Sequence, residues 1–208
     1  MTTPTATTYT SLLQVTIEGA PLPDALATLM AEGWVDSGVN IPSAFQLTFN
    51  DPAREITTNY PQVKIGAKVV LTPILDGKPS LLPLLTGEIT ALEADADATT
   101  KLLVVRGYDP GHRMLRNCRV VGYPTMTASE IVTKVAALCE VEIGEVEPTT
   151  TVYELATQPN ISDWDFLNRL ARENGMRLYV DQLGLLQFKK LPRRSGSRTR
   201  SPRCRART

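Results

Sequence analysis

Apolar residues recur at every second position along the first half of the chain and at every third or fourth position after Asp109. This change of period constrains the fold more than any other feature. Leu13, Val15 and Ile17 alternate with polar neighbours in SLLQVTIEG, as Phe45, Leu47 and Phe49 do in AFQLTFN, so each segment predicts a strand with one face for a core. AEGWVDSGVNIP predicts a strand holding Trp34 and Val39 and ended by Pro42, and Asn50 to Glu55 predicts a turn through its Asx-Pro content. KIGAKVVLTPIL and LTGEITALEADAD are β-rich runs parted by the Pro/Gly loop DGKPSLLP, and Leu102, Leu103, Val104 and Val105 form a continuous apolar strand. Such strands at roughly ten-residue spacing predict a small β-barrel or sandwich over residues 1–107. PDALATLM has room for one helical turn.

Past the change of period, TASEIVTKVAALCE puts Ile131, Val135 and Leu138 on one helical face, with Thr127 and Glu130 at capping-box spacing. SDWDFLNRLARENG predicts a second helix: Ser162 caps it, Asp163 and Asp165 sit in the electropositive first turn, Phe166, Leu167 and Leu170 face inward, and Gly175 ends it. MRLYVDQLGLLQFKK then predicts a hairpin, with Leu178 and Val180 on one strand, a turn near Gln182 to Gly184, and Leu186 and Phe188 on the other. The expected class is α+β, mainly β, with an α+β domain at 108–190 carrying two helices and a C-terminal hairpin.

Charge divides the chain unevenly. The net charge of zero combines a body, residues 1–188, holding 13 basic against 22 acidic residues (−9) with an end that holds 9 basic residues from Lys189 onward. An acidic body argues against nucleic-acid binding, which needs a basic stripe. Residues 191–208 lack apolar periodicity and predict a disordered basic tail, its composition that of a GC-rich gene read out of frame. Cys118, Cys139 and Cys204 form no C-x-x-C pair, which predicts neither a disulfide framework nor a zinc site but two buried small residues and one incidental thiol. No apolar run of bilayer length and no secretory signal are present, so the chain is expected to be soluble and made in the cytoplasm.

The run VVRGYDPGHRMLRN followed by VYELATQPNISDWDFLNRLARENGMRLYVDQLGLLQFKK resembles the hub region of VgrG-like spike proteins and phage late control protein D. The residues that carry the resemblance are Gly107, Tyr108, Asp109, His112, Arg113, Gln158, Asn160, Ser162, Asp163, Trp164, Asp165, Phe166, Leu167, Arg169, Leu170 and Ala171. It is specific over Leu102 to Lys190 and looser before, where strand order and PSAFQLTFND are similar. The resemblance implies a homotrimeric hub in a phage tail or injection-system particle, contacting tail tube and baseplate proteins and a spike tip or effector. It also implies a two-barrel subunit, whose threefold repetition presents six similar edges to a hexameric tube. Family members continue into an OB-like barrel and a β-helical needle, and the chain is expected to be truncated before both. The alternative is a small binding module whose Arg-rich tail recruits an acidic partner or nucleic acid.

No candidate chemistry outweighs a structural role. His112 lacks a specified nucleophile or carboxylate partner and reads as a turn side chain bonded to backbone or placed at a subunit contact. Asp95 with Asp97 lacks an oxygen-rich calcium loop, and helix capping accounts for Asp163 with Asp165. Trp164 reads as a core anchor before an interface residue. Phosphate loops, nucleophile elbows and H-E-x-x-H are absent from the sequence, so no catalytic residue, metal or cofactor is expected.

Overall fold

The computed structural model describes residues 12–38, 40–75, 77–96 and 101–190. The alternating segments pair into one antiparallel sheet of eight strands: β1 (Leu12–Ile17), β2 (Ala20–Pro21), β3 (Met30–Asp36), β4 (Ala44–Asn50), β5 (Lys68–Leu75), β6 (Lys78–Pro79), β7 (Leu85–Ala96) and β8 (Lys101–Tyr108). Their spatial order is β2-β1-β5-β7-β8-β4-β3, with β6 on β5. Val15, Ile17, Phe45, Leu47, Phe49, Val69, Leu71, Leu85, Ile89, Leu103 and Val105 point to one side and form a core. Two short helices, α1 (Asp24–Ala27) and α2 (Ile56–Asn59), add Leu26 and Ile56 to it.

The sheet is open in hydrogen bonding between β3 and β1, yet its ends meet through side chains. A β-carbon placed on Gly33 of β3 would lie 3.0 Å from Leu13 Cδ2 of β1 and 3.1 Å from Leu47 Cδ2. The sheet therefore curls, with Leu13 filling the seam. Among the described residues only one sheet of this kind is present, so the two-barrel subunit is not found within 12–190.

After β8, Pro110–Leu115 forms a 3-10 helix. A long ribbon follows, β9 (Cys118–Thr127) paired antiparallel with β11 (Val152–Ser162). A three-stranded sheet has the order β10 (Ile143–Val146), β13 (Leu186–Lys189), β12 (Arg177–Val180); β10 runs parallel to β13. Helices α3 (Ala128–Leu138) and α4 (Asp163–Glu173) pack on both, and their second core joins Ile131, Val132, Val135, Trp164, Phe166, Leu167 and Leu170 to Tyr123, Leu178 and Phe188. Tyr123 and Phe166 stack at 5.4 Å between centroids.

The capping box of Thr127 and Glu130 is formed, and Gly175 stands just past α4 at φ +66°, where glycine carries no steric penalty. Several expectations need correction. Leu138 is 54% exposed, because the buried stripe of α3 runs through Val132 and Ala136. The strand holding Trp34 ends at Asp36, before Pro42, and Val39 lies outside the described residues. The loop DGKPSLLP contains the two-residue β6. Cys118 is exposed; Cys139 is buried; Cys204 and the 191–208 tail lie outside the described residues. None of the described helices is long and apolar enough to cross a membrane.

Candidate functional site

The sequence-predicted residues come together in two polar clusters flanking the passage from β8 into the second core. The first begins with Gly107, which pairs with Phe45 on one side and Ile89 on the other, next to a register shift between Ile89 and Ala91. A β-carbon there would overlap the Glu88 carbonyl oxygen and the Phe45 ring, so only glycine fits between the β7 backbone and that ring.

Asp109, 2% exposed, then turns the chain. Its carboxylate accepts from Ser43 N at 2.6 Å and Gly111 N at 2.8 Å, capping the 3-10 helix, while its own N–H donates to Ser43 O at 2.9 Å. The two N–H groups favour the charged form, but burial outweighs them and pushes the carboxyl up to about 6.

His112 Nε2 is 2.6 Å from an Arg116 nitrogen that can only donate, so Nε2 accepts and Nδ1–H donates to Asp109 O at 2.7 Å. This neutral tautomer agrees with a pKa lowered first by burial and then by Arg116 and Arg113, against the Asp109 carbonyl and Glu88. Arg113 pairs with Glu88 of β7 and donates to Glu140 O, joining the two halves. Trp164 Nε1 adds a bond to Asn40 O at 2.9 Å. Tyr108, 43% exposed, stacks near His112 at 6.1 Å.

A folded carboxyl at about 6 against the usual 3.8 binds its proton more tightly than the unfolded chain does. Its contribution to stability is therefore full below about 3.8 and lost as the pH rises through about 6, a change of about 2 to 3 kcal/mol. His112 acts in the opposite sense: its lowered pKa gives stability that is present above 6.5 and lost on acidification. Urea unfolding at a series of pH values should show the Asp109 slope vanish in Asp109→Asn. An unchanged slope would remove Asp109 as its source.

The second cluster surrounds Asp163, fully buried at the start of α4. Its Oδ2 accepts from Arg119 Nε at 2.9 Å and from the Cys139 thiol at 3.2 Å, and its Oδ1 from Gln158 Nε2 at 2.9 Å. Gln158 also donates to Ile161 O at 2.9 Å, clamping the bulge at Asn160, whose φ is +51°. Burial, followed by the hydrogen bond and charge of Asp163, pushes the Cys139 thiol up to about 11, so it stays protonated at neutral pH. Ser162 Oγ accepts from Asp165 N at 3.1 Å and donates to Asp165 Oδ2 at 2.6 Å. Arg169 lies over the Phe166 ring at 5.3 Å and donates to Thr157 O at 2.6 Å.

These residues thus divide by exposure. Gly107, Asp109, His112, Gln158, Ser162, Asp163, Trp164, Phe166, Leu167, Leu170 and Ala171 are buried, whereas Tyr108, Asn160 and Asp165 are exposed and Arg113 and Arg169 half-buried. Sequence reasoning missed Arg119, Glu88, Ser43 and Cys139 as partners, because each lies far along the chain from the motif residue it serves. No group of three or more His, Cys, Asp or Glu side chains is placed to hold a metal ion among the described residues.

The family model described as Alg8 N-terminal domain matches residues 83–195, just over half the chain. No curated protein matches in sequence. Among solved structures, the prophage MuSo2 43 kDa tail protein of Shewanella oneidensis is 14% identical with a TM-score of 0.63, over 86% of this chain and 53% of its own. The E. coli c3393 protein, a type VI secretion component described as similar to T4 bacteriophage tail proteins gp27 and gp5, is 17% identical with a TM-score of 0.57, over 84% and 48%. The Francisella PdpA-VgrG complex gives 8% identity and a TM-score of 0.55, over 86% and 28%. The chain has the fold of phage tail and VgrG proteins and spans about half the length, or less, of these solved chains.

Proposed function

The chain belongs to the Alg8 N-terminal domain family, and from its tail-protein fold we propose that it is a structural hub component of a contractile tail or injection-system baseplate. The observation that carries this reading is that tail proteins and a type VI component share the fold over more than four-fifths of the chain. In this reading residues 1–107 and 108–190 are two units, which their separate hydrophobic cores support, and the curled first sheet is the barrel-like element. Three copies present repeated sheet edges to a tube of higher symmetry, while a spike or effector occupies the axis. The exposed motif residues Tyr108, Asn160 and Asp165, with the half-buried Arg113 and Arg169, are the assembly candidates.

The role is non-enzymatic. Both His112 ring nitrogens are engaged, the Cys139 thiol is protonated and buried, and the Asp163 carboxylate is saturated by three donors. Light scattering on the purified chain, with and without residues after Lys190, should give in both forms three times the mass of one protomer, which is 22.8 kDa for the intact chain. A monomer at micromolar concentration in both would remove self-assembly from the reading, and a mass that changes only with the tail would favour the recruiting module instead.

A further inference from the structure

Between the first sheet and the three-stranded sheet lies a cleft of about 630 Å³. One wall is β12 and its hairpin turn, residues 177–183; the other is formed by the loops after β3 and before β7. Its surface is mainly apolar, chiefly from Leu82, Leu84, Val180 and Leu183, and Leu82, Leu84 and Leu183 are 56%, 41% and 52% exposed. Leucines left in water at one place mark a contact surface more often than isolated ones do.

The charges of the cleft are unequally answered. Asp109 is occupied by Ser43 N and Gly111 N, and Asp181 by Leu183 N, Leu185 N and Gln187 Nε2. Arg177 is exposed at one end, with no carboxylate within ion-pair distance among the described residues. A ligand that complements this lining is apolar and carries a carboxylate at the Arg177 end.

The wall itself favours a polypeptide. β12 is the last strand of its sheet, and among the described residues no strand pairs with its outer edge. Asp181 N donates to Leu185 O, which turns the peptide groups of Asp181 and, by alternation, Tyr179 toward β13 and those of Val180 away from it. Val180 is half-buried, packing against the second core while it lines the cleft. An extended segment can hydrogen-bond there while its side chains enter the apolar lining, as in strand addition to a sheet edge.

We infer that this cleft docks an extended, apolar segment of a partner protein, with an acidic side chain held by Arg177. The inference stands apart from the hub reading, since it needs only the cleft. The probe is the labelled peptide Ac-Thr-Leu-Thr-Leu-Thr-Glu-NH2 and its counterpart ending in Lys, titrated into the full chain at low salt. The Glu peptide should bind about fivefold more tightly than the Lys peptide, with the order reversed in Arg177→Glu. Leu183→Asp, on the exposed rim, should weaken both peptides, and hydrogen exchange at the Val180 amide should slow when peptide is bound.

Four results would overturn the inference: no binding at millimolar peptide, no dependence on the charge at residue 177, decanoate binding where the peptides do not, and slowing of Val180 exchange by raising chain concentration alone. The third would identify a lipid-like ligand and the fourth a second copy of the chain.

Discussion

Replacing Gly107 with alanine is expected to destabilise the chain by about 3 kcal/mol or more, the cost of overpacking where neighbours cannot yield. The added methyl meets the Glu88 carbonyl and the Phe45 ring, and both belong to strands paired directly with β8. Urea unfolding followed by circular dichroism measures this, with Tyr108→Ala as the neighbouring control. Tyr108 is 43% exposed, so its loss should cost less than about 1 kcal/mol. Equal effects of the two substitutions would mean that the Glu88 carbonyl and the Phe45 ring do not crowd Gly107 as closely as described.

Arg119→Ala is expected to cost about 4 kcal/mol, because it leaves the fully buried Asp163 carboxylate without its cation. Most of that loss is the penalty of an unpaired buried charge and not the worth of the pair itself. In a background of Asp163→Asn the same Arg119→Ala change should therefore cost far less. A double-mutant cycle that returned additive losses would contradict the pairing of these two side chains.

Much of this arrangement is legible in the sequence where period and capping agree. Val15, Ile17, Phe45, Leu47 and Phe49 were recognisable because each alternates with polar residues, and Ser162 to Gly175 because cap, acidic first turn and terminal glycine coincide. The ribbon of β9 and β11 was not recognisable. Pro124 and Pro159 remove donors from its ladder, Thr125 and Asn160 take φ of +51°, and Val120 and Leu155 stay 77% and 60% exposed, so no clean alternation survives. β10 is four residues long and gains its place only by lying parallel to β13, a pairing far from local in the chain.

The motif residues were visible as a group, but their work was not. Asp163 looked like a helix-terminal acid and serves in addition as a buried acceptor for three side chains drawn from β9, the end of α3 and β11. Leu138 shows the opposite error: it has helical spacing from Ile131 and Val135, yet the packed stripe is wider on the other side. Spacing identifies a face, and only the partner surface fixes its centre.

The position of β8 has a consequence for synthesis on the ribosome. β8 lies between β7 and β4 in the sheet, although it is the last of the eight strands to be made. A nascent chain that has emerged as far as β7 can join β1, β2, β5, β6 and β7 in one piece and β3 with β4 in another, with no strand pairing to connect them. The edges of β7 and β4 that β8 will pair stay open until it arrives, and Gly107 is the second-to-last residue of that strand. Folding of the first half is thus decided late, by a short stretch that also begins the second, and a pause in translation before Lys101 would prolong the exposure of two unpaired sheet edges.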